Sequence, residues 1–224
     1  GDIFVTKLDS AGNFQWAKQI GNADGDWGQG ISVDPFGNVF VVGYYQGPVD
    51  FDPGPGVFNI TTWSRDMFVL RLRNNGDFSW VKSIHPAAND DARAVTTDGQ
   101  GNVYTTGEFF SAADFDPGPG VHMLTGGVYV QKLDSTGNYV WAVDWEADIP
   151  GWIGLDHSNN VYTTGVFTGT NRDFDPGSGT FLLSGYSGSG FILKLTQQSI
   201  IDNIEEHEHF QQGVKVYPNP STGS

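Results

Sequence analysis

Three times the chain writes one acidic phrase: Asp50-Phe51-Asp52-Pro53-Gly54-Pro55-Gly56, then Asp114 through Gly120, then Asp173-Phe174-Asp175-Pro176-Gly177-Ser178-Gly179. Each copy holds the same place in a longer unit. Leu8, Leu72, Leu133 and Leu195 are separated by 64, 61 and 62 residues, and Asn38, Asn102 and Asn160 by 64 and 58. Trp16, Trp80 and Trp141 keep the first two of the leucine steps. A steady period of this size marks a propeller, a solenoid or a similar array, and it constrains the fold more than any single motif does.

Within one unit, Ile31-Ser32-Val33-Asp34 and Val39 to Tyr44 flank the turn Pro35-Phe36-Gly37-Asn38. These are strands A and B. The turn returns as Asp98 to Asn102 and as Asp156 to Asn160. Asp and Asn cap such turns with their own side chains, and Gly supplies a positive φ, so this is hairpin chemistry. After the acidic phrase comes strand C, Met67 to Leu72, matched by Ile3 to Leu8, Val128 to Leu133 and Phe191 to Leu195. A second tight turn, such as Asp9 to Asn13, leads to strand D: Phe14 to Ala17, Phe78 to Val81 and Tyr139 to Ala142.

In strand C, Phe68, Leu70 and Leu72 share one face while Met67 and Val69 share the other. A sheet apolar on both faces is sandwiched between neighbours. The expected fold is therefore all-β, a propeller-like array of four-stranded antiparallel blades. Counting strands gives about three and a half blades in this segment, whereas closed rings use roughly four to eight. Either the segment is the C-terminal part of a longer propeller, or it is an open array completed by another chain; the first is favoured. The chain opens in mid-repeat at Gly1, as a processed or incomplete piece of a longer product would.

Lys and Arg number 11 against 26 Asp and Glu, for a formal charge of −15. With no basic cluster, nucleic acid and anionic membranes are poor partners. The absence of cysteine excludes a disulfide scaffold, a zinc–thiolate site and a cysteine nucleophile. No stretch approaches the roughly 20 apolar residues of a membrane span.

Successive connections of a meander alternate between its two ends. The A–B and C–D turns should share one end, and the B–C and D–A connections the other. The D–A connections are acidic too, with Asp24 and Asp26, Asp90 and Asp91, and Glu146 and Asp148. One face of the array is thus expected to gather most of the carboxylates. Two readings of the phrases follow. Asp50 with Asp52, Asp114 with Asp116, and Asp173 with Asp175 are candidate Ca²⁺ ligands, because that ion takes about six to eight oxygens and suits Gly-containing loops. Alternatively Asp caps the turn, Pro presets φ, Gly permits the reversal and Phe packs into the blade contact; this structural reading carries more weight. Paired carboxylates also serve glycoside hydrolysis, but three near-identical copies suit repeated binding better than one asymmetric active site, so no enzyme is expected. Aromatics near the acidic end (Tyr44, Tyr45, Trp27, Trp152) are candidates to stack on sugars, although such residues more often pack between blades.

After Leu195 the repeat stops. Residues 197–213 read as an acidic linker, and 214–224 open with Val214-Lys215-Val216-Tyr217-Pro218-Asn219-Pro220-Ser221-Thr222-Gly223. This resembles the start of the type A C-terminal sorting domain of bacterial type IX secretion cargo, with Tyr217, Pro218, Asn219, Pro220 and Gly223 at its signature positions; here it ends at Ser224, short of a full domain. Independently, Asp2 to Leu8, Gly12 to Trp16 and Val33 to Gly43 resemble the bacterial propeller repeats known as SBBP repeats, over about residues 2–196. Together the resemblances imply export by the type IX machinery of a Bacteroidota-type bacterium, to the medium or the outer cell surface. The function expected is a non-catalytic binding or adhesion scaffold for an extracellular protein or glycan, acting through an acidic loop face that calcium could organise. Its rivals are an extracellular polysaccharide-acting propeller enzyme, in which one blade carries a carboxylate pair the others lack, and a self-associating filament subunit.

Overall fold

The alternation in strand C fixes the architecture, because both of its faces need cover. A computed structural model describes residues 1–85 and 89–197. The linker beyond Gln197, the sorting-like phrase and Tyr217 to Gly223 lie outside the described residues. Among the described residues fifteen strands form: β1 Ile3–Leu8, β2 Phe14–Ile20, β3 Trp27–Val33, β4 Val39–Asp50, β5 Asn59–Leu72, β6 Phe78–Ile84, β7 Asp91–Thr97, β8 Val103–Phe109, β9 Ala113–Asp114, β10 Met123–Leu124, β11 Gly127–Leu133, β12 Tyr139–Trp145, β13 Ile149–Leu155, β14 Val161–Asp173 and β15 Leu182–Leu195. They make antiparallel sheets β1-β2, β3-β4-β5-β6, β7-β8-β11-β12 and β13-β14-β15, with β9-β10 as a small separate ladder. The second and third sheets are complete blades. Strand positions A to D fall where the repeat pattern puts them.

The core sits in the seams between consecutive blades. Val39 and Val41 of β4 face the first blade, with Ile3, Val5 and Ile20. Phe40 and Val42 face the third, with Ala92, Val95 and Tyr129. A third seam joins Val128, Val130 and Trp145 to Val161, Phe191 and Leu193. Burial on both faces is why these strands carry apolar residues at successive positions.

Two repeated residues acquire physical reasons. Gly43, Gly107 and Gly165 lie in strand B opposite a β-bulge in strand A. A Cβ there would stand 1.8, 2.0 and 2.4 Å from the carbonyl oxygens of Trp27, Asp91 and Ile149, so no side chain fits. The strand D tryptophan stitches blades together at their A–B and C–D turn end. Trp16 Nε1 donates to Asn74 O (3.1 Å) and Trp80 Nε1 to Ser135 O (3.3 Å), each in the C–D turn of the next blade. Lys7 and Arg71 reinforce the same two carbonyls at 3.0 Å.

The turns are capped as their composition demands. Asp34 Oδ1 accepts from the backbone N–H of Phe36 and Asn38, and its Oδ2 from the Asn38 amide. Asp98, Asp156, Asp9 and Asp134 repeat the pattern. The Asn13 and Asn160 side-chain amides hold the carboxyls of Asp9 and Asp156 below the usual range.

Candidate functional site

The B–C connection departs from the meander expectation. Strands β4 and β5 continue pairing beyond the blade, Gly47 with Thr62 through Asp50 with Asn59, after a bulge between Tyr45 and Gly47. This arm doubles back across the face of its own blade. Phe51 packs on Tyr45 and Phe68 at 5.2 and 5.3 Å, and Phe58 meets Phe78, at the start of strand D, at 5.0 Å. In the third blade Phe115 packs on Phe109 and Tyr129 while His122 lies over Tyr139. In the fourth, Phe174 packs on Phe167 and Phe191. The acidic phrases are thereby carried away from the end where the arms begin and into the seams. The expectation that they join the D–A carboxylates on one face holds at one contact, in the fourth blade, where Asp173 N–H donates to Glu146 Oε2 and Glu146 N–H to Asp173 O, both at 3.0 Å; in the second and third blades burial of the phrase phenylalanine outweighs the direction in which the strands leave the blade.

Within each phrase the carboxylates serve their own loop. Asp50 Oδ1 accepts from the N–H of Asp52 (3.0 Å) and Phe58 (2.8 Å), and Asp52 Oδ1 from Gly54 (2.8 Å). Asp114 takes Asp116 and His122, and Asp116 takes Gly118. Asp173 takes Asp175 and Phe181, and Asp175 takes Gly177. These N–H bonds, from His122 first, hold the Asp114 carboxyl below its ordinary range. Gly56, Gly120 and Gly179 leave room for the second carboxylate oxygen of Asp52, Asp116 and Asp175, which a Cβ would approach to 2.2, 2.1 and 2.2 Å.

What does gather at the other end, here the mouth, is the D–A acidic set with the bulges. Asp26, Asp90 and Asp148 are repeat-equivalent. Asp26 and Asp90 clamp the far end of strand B, Asp26 through Gln46 N and Asp90 through Phe110 N at 2.7 Å. Asp148 makes the same reach through the Thr168 hydroxyl. Their surroundings separate them. Burial raises the Asp26 carboxyl. At Asp148 burial opposes, but the Thr168 hydroxyl and Arg172 prevail and lower it. Asp90 is wholly buried, its Oδ2 has no partner among the described residues, and burial together with Asp66, Asp91 and Glu108 pushes it up to about 6.

The third blade also breaks the repeat at its mouth rung. Trp27 pairs with Tyr44 in the second blade and Ile149 with Val166 in the fourth, but Asp91 pairs with Glu108 in the third. Like charges directly opposite in a sheet destabilise it, and two arginines answer them. Arg93 grips Glu108 through two nitrogens, with Nε at 2.5 Å. Arg65 pairs with Asp91 and lies 3.5 Å over the Tyr44 ring. His85 Nδ1 meets Asp66 Oδ2 at 2.5 Å beside them. Sequence reading missed both arginines; the signal was an Arg beside an acid at the strand edge, in Arg65-Asp66 and Asp91-Ala92-Arg93. Tyr44 is therefore covered by Arg65, and Tyr45, expected to be exposed, is fully buried against Phe51. Trp27 and Trp152 are exposed as expected. Among the described residues no three His, Asp or Glu side chains are grouped to hold a metal ion.

Comparison with known proteins agrees with this geometry. Residues 15–44, from strand D across the mouth connection into strand B, match the family model of the SBBP beta-propeller repeat. The fold is all-β, a propeller-like array of antiparallel blades. The propeller is also similar to an uncharacterized WD repeat-containing protein of Acanthamoeba polyphaga mimivirus, 24% identical over 250 aligned residues. That match covers 92% of this chain and 18% of the relative, so the propeller spans less than a fifth of the relative's length.

Proposed function

We propose that the array is a rigid, non-catalytic scaffold that presents its binding surface at the mouth, on a protein exported by the type IX route to the medium or outer cell surface. One observation carries the binding reading: the second, third and fourth blades each bury an arm phenylalanine in a seam (Phe51, Phe115, Phe174), yet Trp27, Trp63, Phe110, Trp152 and Tyr186, on the strand A starts and the blade-to-arm bulges, stand exposed. Both comparisons are to repeat proteins, which favours a non-enzymatic scaffold. Asp91 and Glu108 are a pair the other blades lack, as the enzymatic rival requires. They are nonetheless buried and held by arginines, and Asp90 is closed to solvent, so none is poised to meet a substrate.

The test is an array of immobilised glycans and extracellular proteins, probed with the chain and two variants. Trp63→Ala/Trp152→Ala should lose the captured ligand, Phe36→Ala in an A–B turn should keep it, and incubation should release no product. Loss in the turn variant alone, or turnover of the ligand, would overturn the reading.

The phrases act in this proposal as self-capped loops. Thermal unfolding in excess chelator, then across a calcium titration, is expected to give one unchanged midpoint. A saturable rise, worth about 3 kcal/mol at a hundredfold excess over Kd, would assign Asp50, Asp52, Asp114, Asp116, Asp173 and Asp175 to calcium instead.

A further inference from the structure

We propose that aromatic side chains at the blade-to-arm bulges form a ladder that binds an uncharged polysaccharide by stacking, one rung per blade. The inference rests on the mouth being the binding surface and names its ligand class. Trp63 is 96% exposed, Tyr186 83% and Phe110 68%. Trp63 and Tyr186 occupy one repeat position. In the second blade Tyr45 pairs with Asp66 and Gly47 with Thr62, so residues 63–65 are looped out. In the fourth, Phe167 pairs with Ser189 and Gly169 with Gly185, looping out 186–188. Phe110 follows β8 at the same break between blade and arm, from the facing strand. In the second and fourth blades the repeat thus buries one arm aromatic (Phe51, Phe174) and leaves another exposed at the arm's root; in the third, which buries Phe115, the equivalent position holds the buried Leu124 and Phe110 of the facing strand is the exposed ring.

The chemistry of the surroundings narrows the ligand. An aromatic ring offers a flat, electron-rich face that suits the C–H face of a pyranose, and Trp and Tyr add a polar edge. With 26 acidic against 11 basic side chains, and acidic groups along the mouth connections, polyanionic glycans are repelled. The arginines nearest the bulges, Arg65, Arg93 and Arg172, are already engaged by Asp91, Glu108 and Asp148. A single stacking contact is weak. Contacts repeated on one rigid array gain from effective concentration only if the ligand repeats as well. A polymer of uncharged sugars meets every condition, and its binding should strengthen with chain length.

The experiment is affinity electrophoresis of the whole chain in native gels containing hydroxyethylcellulose, glucomannan or dextran, with alginate as the anionic comparator. Retardation by at least one neutral polymer is expected, none by alginate, and weaker binding to its short oligosaccharides. Trp63→Ala/Tyr186→Ala should weaken that binding by about tenfold or more, a loss of roughly 1.4 kcal/mol, with the melting temperature unchanged because both rings are outside the core. No retardation by any neutral polymer, equal retardation by alginate, or undiminished binding by the double variant would overturn the ladder. Capture of a protein on the array without retardation in these gels would remove the ladder yet leave the mouth as the binding face.

Discussion

Phe115→Ala is expected to lower the stability of the chain by about 3–5 kcal/mol, the range for deleting a large buried aromatic. The ring is fully buried, packed edge-on against Phe109 at 4.9 Å and tilted against Tyr129 at 4.8 Å. It shares its cluster with Met67 and Val69 of the preceding blade. The backbone around it cannot relax freely into the gap. Phe115 N donates to His122 O (2.8 Å), and Gln131 Nε2 binds Phe115 O (2.6 Å), so the loop is pinned on both sides of the missing ring. Urea titration should show a lower midpoint. Phe36→Ala, an exposed turn residue, should change stability by no more than about 0.5 kcal/mol. A loss below about 1 kcal/mol for Phe115→Ala would show that the arm is not a wedge in the seam.

That prediction marks where sequence reading succeeded and where it stopped. The four strand positions were legible because strands B and C of the two complete blades have neighbours on both faces and five of the tight turns carry a capping Asp (Asp9, Asp34, Asp98, Asp134 and Asp156). Successive apolar residues such as Val39 to Val42, and the Asp34-to-Asn38 turn, therefore have one reading each. The burial of Phe51, Phe115 and Phe174 was legible from alternation with the flanking aspartates. The path of the arms was not. A meander rule tells which end a connection leaves from, and it is silent on a hairpin that keeps pairing past the bulge and folds back. What turns the arm is packing of Val49, Phe51 and Ile60 onto a blade face that includes residues as far along the chain as Leu72 and Val81, and no local pattern encodes that.

The mouth shows the same division. Its acidic D–A connections were plain, and so was the exposure of Trp27 and Trp152. The Asp91–Glu108 rung was hidden because cross-strand register follows from a bulge between Ala92 and Ala94. A shift of one residue there would place Asp91 opposite a different partner. The arginine that answers Asp91 comes from another blade, 26 residues earlier in the chain. Charge compensation of this kind belongs to tertiary structure.

Asp90→Asn is expected to stabilise the protein above pH 7 by about 3 kcal/mol and to have almost no effect near pH 4. The reason lies in a single oxygen. Asp26, the equivalent residue, receives the Asn22 N–H on its Oδ2 at 2.8 Å. Among the described residues Asp90 Oδ2 is buried without a hydrogen-bond partner, near Asp66, Asp91 and Glu108. The folded carboxyl is raised from 3.8 to about 6, roughly 2 units, and each unit is worth 1.36 kcal/mol. Because the folded state holds the proton more tightly than the unfolded chain, this group adds nothing unfavourable below about pH 4. Its penalty grows as pH rises toward 6 and stays constant above. An Asn is neutral throughout; its oxygen still accepts the Phe110 N–H, and its amide can donate toward the neighbouring carboxylates. The measurement is the difference in unfolding free energy between variant and native chain at pH 4, 5, 6, 7 and 8, which cancels the other titrating groups to first order. A difference that climbs between pH 4 and 6 and then levels places an uncompensated charge inside the seam of the second and third blades. A flat difference near zero would mean that Asp90 Oδ2 has a partner in solution and that the seam carries no such cost.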